Sequence, residues 1–337
     1  MGAWRVAARE RPGKPGVAPT LDQMDAVTIV DGHLIWQTRP DPEPAADELL
    51  VAVRAAGING ADLLQRRGFY PAPAGAPADI PGLEFAGEVV GTGSAVERFQ
   101  VGDRVMAVVA GGAQAELVAV PEQTVLPVPD TIGWEEAGGF AEVYSTAYDA
   151  LFTQADLTAG ERVLISGAAG GVGTAGVQIA HAAGAFVVAS VRNADMHDSV
   201  RALGADEVIE PGEVANCGPY DVSLELVGAP GLTVALDALA TGGRIVVIGV
   251  GGGANVELNL LAVMNKRARI GGSTLRSRPV GEKAEVARAV EAHVLPLLAS
   301  GQIRVPVAAT FPMEDATAGY ERFSAGAKLG KVVLVNR

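Results

Sequence analysis

Val163-Leu-Ile-Ser-Gly-Ala-Ala-Gly-Gly-Val-Gly-Thr-Ala-Gly-Val-Gln-Ile-Ala180 decides the fold. A β-branched apolar run enters a loop almost without side chains, and Gly173 leads into a helix-like segment of small and aliphatic residues. Strand, glycine turn and helix start in that order is how α/β proteins bind the pyrophosphate of a dinucleotide. Bare backbone lets the phosphates approach, and the helix N-terminus faces them with N–H groups and the positive end of its dipole. The spacing Gly167-x-x-Gly170-x-x-Gly173 is a variant of G-x-G-x-x-G, so by spacing alone it fits a ligand-free βα turn as well.

Around this stretch the strands and helices alternate. Apolar runs at 163–165, 186–191, 206–209, 222–227, 244–250 and 268–273 are separated by helical patterns such as 195–203, 232–240 and 258–266. Strands at this interval imply right-handed crossovers and a doubly wound parallel sheet. Upstream, from Val27 to about Pro129, short β runs at 48–55, 85–91, 103–109 and 115–120 are divided by Gly, Pro and Asp, the pattern of a β-rich barrel-like domain. Residues 134–153 read as one helix. Downstream come a helix at 282–299, a strand at 303–308, a helix at 314–324 and a strand at 331–335. That tail is too short to stand alone and is expected to return to the β-rich domain. The division is therefore 24–147 with 282–337 for the β-rich domain and 148–281 for the nucleotide domain, with the ligand crevice between them. Residues 1–23 mix Arg5, Arg9, Arg11 and Lys14 with Pro and Gly and read as a mobile tail ahead of Met24.

The 337 residues suit two domains. With 49% hydrophobic and 19% charged residues the chain can bury sizeable cores. A net charge of −13 argues against nucleic acid or an anionic membrane as partner. Cys217, the single cysteine, excludes an intrachain disulfide or a Cys-rich zinc site, fits a reducing cytoplasm, and reads as an incidental thiol. No apolar run approaches the roughly 20 residues of a membrane span, and the N-terminus lacks a signal-peptide core.

Gly57-Ile-Asn-Gly-Ala-Asp62, Pro81-Gly-Leu-Glu-Phe-Ala-Gly87, Gly102-Asp-Arg-Val105 and the glycine loop together resemble the medium-chain dehydrogenase/reductase superfamily. Asn59-Gly-Ala-Asp-Leu-Leu-Gln-Arg-Arg-Gly-Phe-Tyr70 and Gly272-Ser-Thr-Leu-Arg276 are similar to its zinc-free quinone oxidoreductases, nearest the p53-inducible, zeta-crystallin-like branch. The resemblance runs from Met24 to Val335. It implies a Rossmann domain plus a discontinuous β-rich, GroES-like catalytic domain, NADP(H)-dependent reduction of quinones or enones, and a homodimer through the edge of the nucleotide-domain sheet.

In zinc-containing relatives a cysteine stands at the place of Asn59 and a histidine at that of Leu83. Neither Asn nor Leu supplies a thiolate or imidazole. His33, His181, His197 and His293 are scattered, so no metal is expected. Without a Lewis acid the acceptor must already be electrophilic, as quinones and α,β-unsaturated carbonyls are, and the protein mainly positions the reactants. Asn59 is a candidate hydrogen-bond donor to acceptor or nicotinamide ribose. Tyr70 and Tyr144 are candidate proton donors or stacking walls. Leu64 replaces a tyrosine found in many zinc-free relatives, which leaves the pocket wider or more apolar there.

NAD enzymes place Asp or Glu at the end of the second nucleotide-domain strand, but Ala189-Ser-Val-Arg-Asn193 has no carboxylate. Arg192, with Ser190 and Asn193 beside it, suits a 2′-phosphate and favours NADPH. The family's phosphate-binding lysine is replaced by Met196, next to Asp195, and its tyrosine by about Pro211. The other expected cofactor contacts are Ala169, Gly170, Gly171, Val172 and Gly173 in the loop, Leu226, Val227, Gly249 and Val250 at strand ends, Thr146, Thr274 and Leu275 on the nicotinamide side, and Lys331 as hinge or phosphate neighbour. Arg276 can instead pair structurally. The leading reading is NADPH-dependent quinone reduction, by hydride or single-electron transfer. An enone or enoyl reductase on the same scaffold, and a nucleotide-binding regulatory or structural protein without turnover, are the alternatives.

Overall fold

The two rhythms of the sequence fold into two separate sheets in the computed structural model, which describes residues 23–336 and the backbone of a short strand at Arg5–Val6. Of the mobile tail expected over 1–23, Gln23 instead opens a strand, and the rest apart from Arg5–Val6 falls outside the described residues. One sheet has six parallel strands in the order Glu207–Ile209, Phe186–Ser190, Arg162–Ser166, Tyr220–Glu225, Leu239–Val247, Arg269–Gly272. The order reverses between Arg162–Ser166 and Tyr220–Glu225, so a crevice opens outside the C-terminal ends of those two strands. Val163, Leu164, Ile165, Val187, Val188, Val222 and Leu224 are all buried, as strands covered by helices on both faces require.

The other sheet has eight strands. Its main path is Val307–Pro312, Lys331–Val335, Glu48–Gly57, Glu84–Thr92, Arg104–Val108, Val125–Pro127; Leu117–Pro121 pairs with Glu48–Gly57 and Arg5–Val6 with Glu84–Thr92. The C-terminal segment thus pairs with the N-terminal β region, Val333 opposite Gly57. A separate hairpin, Gln23–Val30 with His33–Pro40, turns at Asp31-Gly32, both at positive φ.

Three expected elements differ. The helix expected over 134–153 is broken into Trp134–Gly138, Ala141–Tyr148 and a wide turn at Asp149–Gln154. The break follows Gly138, where a Cβ would sit 2.6 Å from that of Ala55, so the chain must present bare backbone to the sheet. The helix expected over 282–299 is Val280–His293 and Leu295–Ala299, interrupted at Val294 because Pro296 has no N–H to continue it. The strand expected over 303–308 begins only at Val307. Before it, the backbone of Arg304 is hydrogen-bonded by side chains: its N–H donates to Gln178 Oε1 (2.9 Å), and its carbonyl accepts from Tyr144 Oη (2.7 Å) and Gln178 Nε2 (3.0 Å). Among the described residues no helix is long and apolar enough to cross a membrane.

The sheets meet where the last strand touches the glycine loop. Gly330 N–H donates to Ala169 O at 2.8 Å, and Gly330 bridges Gly170. The next residue, Lys331, is 2% exposed, and its Nζ lies 2.6 Å from Glu84 Oε1, 2.6 Å from Asn59 Oδ1 and 3.0 Å from Ile58 O. One ammonium thus joins three segments far apart in sequence. Removing one partner of such a buried pair strands the other charge at a cost of about 3–5 kcal/mol. Lys331→Met should lower stability by that order in urea unfolding, and adding Glu84→Gln should restore part of the loss. Equal stability of Lys331→Met and wild type would show that the pair does not hold the seam.

Candidate active site

The cofactor half is built by parallel strands that all end on one edge of the six-stranded sheet. Ser166, Ser190, Glu225, Val247 and Gly272 are the last residues of five of these strands. The loop at 167–170, Arg192 and Asn193, Leu226 and Val227, Gly249 and Val250, and Thr274 and Leu275 follow them directly, so the expected cofactor contacts converge on this edge. Gly170 is the N-cap of helix Gly171–Ala182, whose first N–H groups lie at that edge. A Cβ on Gly173 would meet Gly167 O at 2.5 Å, so this glycine lets the helix pack on its own loop. At Gly170 a Cβ would find only Gly167 O, at 3.4 Å, which leaves a bare cradle of the kind a pyrophosphate fills.

Behind the cradle stands Glu225, a fully buried carboxylate that the sequence reading passed over. Its Oε1 accepts from Ser166 Oγ (3.0 Å), Val227 N (2.6 Å) and Gly228 N (2.8 Å), and Ser166 Oγ accepts from Leu226 N (2.7 Å). These bonds shape the turn that carries Leu226 and Val227 past the glycine loop. The only local signal, Glu at the end of an apolar strand, does not reveal the partners.

Arg192 is exposed just past the end of strand Phe186–Ser190 and makes no hydrogen bond or ion pair among the described residues. Ser190 is buried, with its carbonyl accepting from Ala168 N at 3.2 Å. Asn193 Oδ1 caps the following turn through Asp195 N (3.2 Å), leaving only its amide donors free.

The catalytic half is a buried polar cluster. Asn59 precedes helix Gly60–Arg66. Asp62, fully buried, accepts from Asn59 N (2.8 Å) and Gly82 N (3.1 Å). Burial, only partly offset by those bonds and by Lys331, pushes the Asp62 carboxyl up to about 6. Glu84 Oε1 faces Lys331, and its Oε2 accepts from Glu142 N at 2.8 Å. Glu142, on the first turn of helix Ala141–Tyr148, accepts from Thr146 Oγ1 one turn later (3.2 Å). Burial and then Glu84 raise its carboxyl to about 7, against the pull of Lys331 and Thr146.

Several expected roles change on this geometry. Asn59 Nδ2 donates to Glu84 Oε1 (3.0 Å) and Gly57 O (3.3 Å), so both its hydrogens are taken; its place is to hold Lys331, not to donate to an acceptor. Lys331 gives its ammonium to Asn59, Glu84 and Ile58 and is not free to face a phosphate. Tyr144 is 1% exposed, stacked on Phe140 at 4.5 Å, with its hydroxyl donating to Arg304 O and accepting from Gln178. Burial drives its phenol well up, and it is a strut between the two domains rather than a proton donor. Tyr70 stays at the cleft, half-buried, with the Arg276 guanidinium 5.0 Å from its ring centre. Arg276 itself is tied to Ala110 O, Tyr70 O and Gln65 and is structural. Glu142 is another residue the sequence reading missed, because an acid in a first helical turn reads as a partner of the helix dipole.

The residues at the zinc position of zinc-containing relatives do not fit that ion. Asn59 and the buried Leu83 offer neither thiolate nor imidazole, and the polar side of the cage is filled by the Lys331 ammonium. His197 bonds Val191 O and His293 stacks on Tyr148, both away from the cage.

Comparison with known proteins matches this architecture in both halves. A model of the alcohol dehydrogenase GroES-like domain matches residues 45–153, and one of the zinc-binding dehydrogenase family matches residues 171–292. Quinone oxidoreductase of Rattus norvegicus is 31% identical over 306 residues, covering 87% of this chain and 91% of the rat protein. That of Lama guanicoe is 33% identical over 307 residues, covering 87% and 90%. The crystal structure of a Pseudomonas syringae pv. Tomato quinone oxidoreductase superposes with a TM-score of 0.82 at 27% identity, covering 93% of this chain and all of that one. A GroES-like domain beside a Rossmann-type nucleotide-binding domain, and quinone oxidoreductases at this identity over nearly the full length, lead to one conclusion: the chain belongs to the medium-chain dehydrogenase/reductase superfamily, as an oxidoreductase of its quinone oxidoreductase-like group.

Proposed function

We propose that the protein is an NADPH-dependent, zinc-independent reductase of quinones. The observation that carries this reading is the cage of Asn59, Leu83 and Glu84 closed by the Lys331 ammonium, one residue beyond the contact between Gly330 and the glycine loop. A cleft whose cation is an engaged lysine has no Lewis acid to polarise a simple ketone, so an acceptor that is electrophilic by itself fits it best. The relatives named quinone oxidoreductase support the acceptor class.

Bound NADPH supplies the reducing equivalents. The bare loop at Gly170 and the first N–H groups of helix Gly171–Ala182 would hold its pyrophosphate. Exposed Arg192, at a strand end without a carboxylate, would take the 2′-phosphate, with the free amide of Asn193 beside it. Thr146, Thr274 and Leu275 would border the nicotinamide. Tyr70 and its Arg276 partner would form a wall against which a planar acceptor can lie. A single half-buried cysteine suits a reducing cytoplasm.

A second copy completes the reading. Among the described residues, strand Arg269–Gly272 leaves one edge of the six-stranded sheet unpaired. Beside it, helix Leu260–Lys266 exposes Leu260, Leu261 and Met264 at 70%, 64% and 68%. An open edge flanked by an apolar patch is an association surface, and a homodimer continuing the sheet covers both.

Three outcomes test these assignments. NADPH oxidation is expected with a panel of quinones, and Arg192→Ala should raise the NADPH dissociation constant at least tenfold while leaving NADH nearly unchanged; equal effects on both cofactors would remove Arg192 from the 2′-phosphate. Gly170→Val should fold, since its side chain meets little protein, yet lose cofactor binding; wild-type NADPH affinity in the folded variant would mean the phosphates lie elsewhere. The double variant Leu261→Lys, Met264→Lys should run as a monomer in light scattering where the wild type runs as a dimer, and an unchanged mass would place the interface on another face.

A further inference from the structure

Three acidic side chains surround the Lys331 ammonium, and their hydrogen bonds separate their roles. Glu84 is fully buried, with Oε1 shared by Lys331 and Asn59 and Oε2 held by Glu142 N. Asp62 is fully buried, with each oxygen accepting a backbone N–H. Glu142 differs in both respects. It is partly exposed, and among the described residues Thr146 is the only hydrogen-bond partner of its carboxyl, leaving one oxygen free. It shares a helix face with Thr146, which borders the expected nicotinamide side, and it lies close enough to Tyr70 to disturb that phenol. The other donors at the cleft are unsuited. Lys331 is engaged, Tyr144 is sealed in the interior, and burial together with Glu142 holds the Tyr70 phenol above its ordinary range.

We propose that Glu142 is the catalytic proton donor to the reduced acceptor, an assignment that rests on the reductase reading above. Bound NADPH would supply a hydride with its electron pair, which would leave the carbonyl oxygen of the acceptor anionic. The O–H bond of Glu142 then breaks, its proton forms the new O–H bond of the acceptor, and the bonding pair stays on the Glu142 carboxylate. Water from the open side of the cleft returns the proton. No metal enters the balance. The groups facing Glu142 are Glu84 and Thr146, which hydrogen-bond it, and Asp62, Lys331 and Tyr70. Burial and the two carboxylates favour its protonated form, so the donor is present below about pH 7 and lost above it.

The test uses the full-length protein with NADPH and two acceptors, 1,4-benzoquinone and 2-cyclohexenone. Glu142→Gln should lower kcat about 100-fold with the NADPH dissociation constant unchanged, and Glu142→Asp should recover part of the loss. Wild-type kcat should fall as pH rises through about 7, and Glu142→Gln should lack that limb. Independently of turnover, the cofactor-free wild type should lose more of the infrared absorbance of protonated carboxyls between pH 6 and pH 8 than Glu142→Gln, whose remaining loss belongs to Asp62. An active wild type with Glu142→Gln equally fast, or with the same pH limb, overturns the proton-donor role and leaves the reductase reading intact. A wild type that binds NADPH but reduces neither acceptor overturns the reductase reading and the donor with it.

Discussion

The structure depends most on one buried ammonium. Lys331 opens the last strand, and its stem and head occupy the place where the β-rich sheet, the helix after Asn59 and the glycine loop come together. A lysine with so little water is tolerated only because Glu84 supplies a counter-charge and Asn59 and Ile58 supply acceptors. The contact goes with the topology. The C-terminal segment leaves the nucleotide-binding sheet and carries its lysine to a carboxylate on the strand Glu84–Thr92. Its strand pairs with Glu48–Gly57, and Gly330, one residue earlier, lies against Ala169 and Gly170. Cofactor cradle and polar cage are brought together by two consecutive residues.

A second constraint works on the other side of the cradle. Parallel strands must end somewhere, and at the switch point of the sheet their ends leave backbone groups that helices on either side do not cover. Glu225 and Ser166 satisfy those at Leu226, Val227 and Gly228, so the turn is rigid before any ligand arrives. Binding a dinucleotide to a pre-shaped loop costs less ordering than assembling one around it. That is the physical use of a buried carboxylate that never needs to face the cofactor itself.

Local patterns were legible in the sequence and distant partnerships were not. The glycine loop, the alternation of strands and helices beyond Gly160, and the missing carboxylate near Arg192 each lie within a few consecutive residues, where spacing carries the physics. Asn59 stood out in the sequence only as a candidate, and its partners Glu84 and Lys331 lie 25 and 272 residues away, so its use as a lysine clamp did not show. Tyr144 has the composition of an active-site tyrosine; only the crossing of Gln178 and Arg304 over its hydroxyl shows it as interior packing. The helix broken after Gly138 needed knowledge of Ala55, on a strand more than 80 residues earlier. Glu142 was hidden for a related reason. Its neighbours come from the strand Glu84–Thr92, the helix Gly60–Arg66 and the last strand, and no window of sequence contains them together.

The single charge at the centre of the cluster also bears on how many protons its carboxyls hold. Lys331 brings one positive charge to three buried or half-buried acids. Glu84, closest at 2.6 Å and bonded to Asn59 as well, takes up that charge. Asp62 and Glu142 then have no cation of their own, and each additional carboxylate must ionise beside an existing one in a poorly solvated space. That cost falls on proton loss, so the Asp62 and Glu142 carboxyls are raised to about 6 and about 7. Asp62 still ionises more readily of the two, because two backbone N–H groups point at it. Glu142, with a single hydroxyl donor, is pushed further up and is the one of the three acids that is partly exposed. A cluster with one positive charge and three carboxyls thus favours a retained proton. Under the proposed reductase reading that proton has a use, since an acceptor able to take electrons unaided still has to be protonated once it has them.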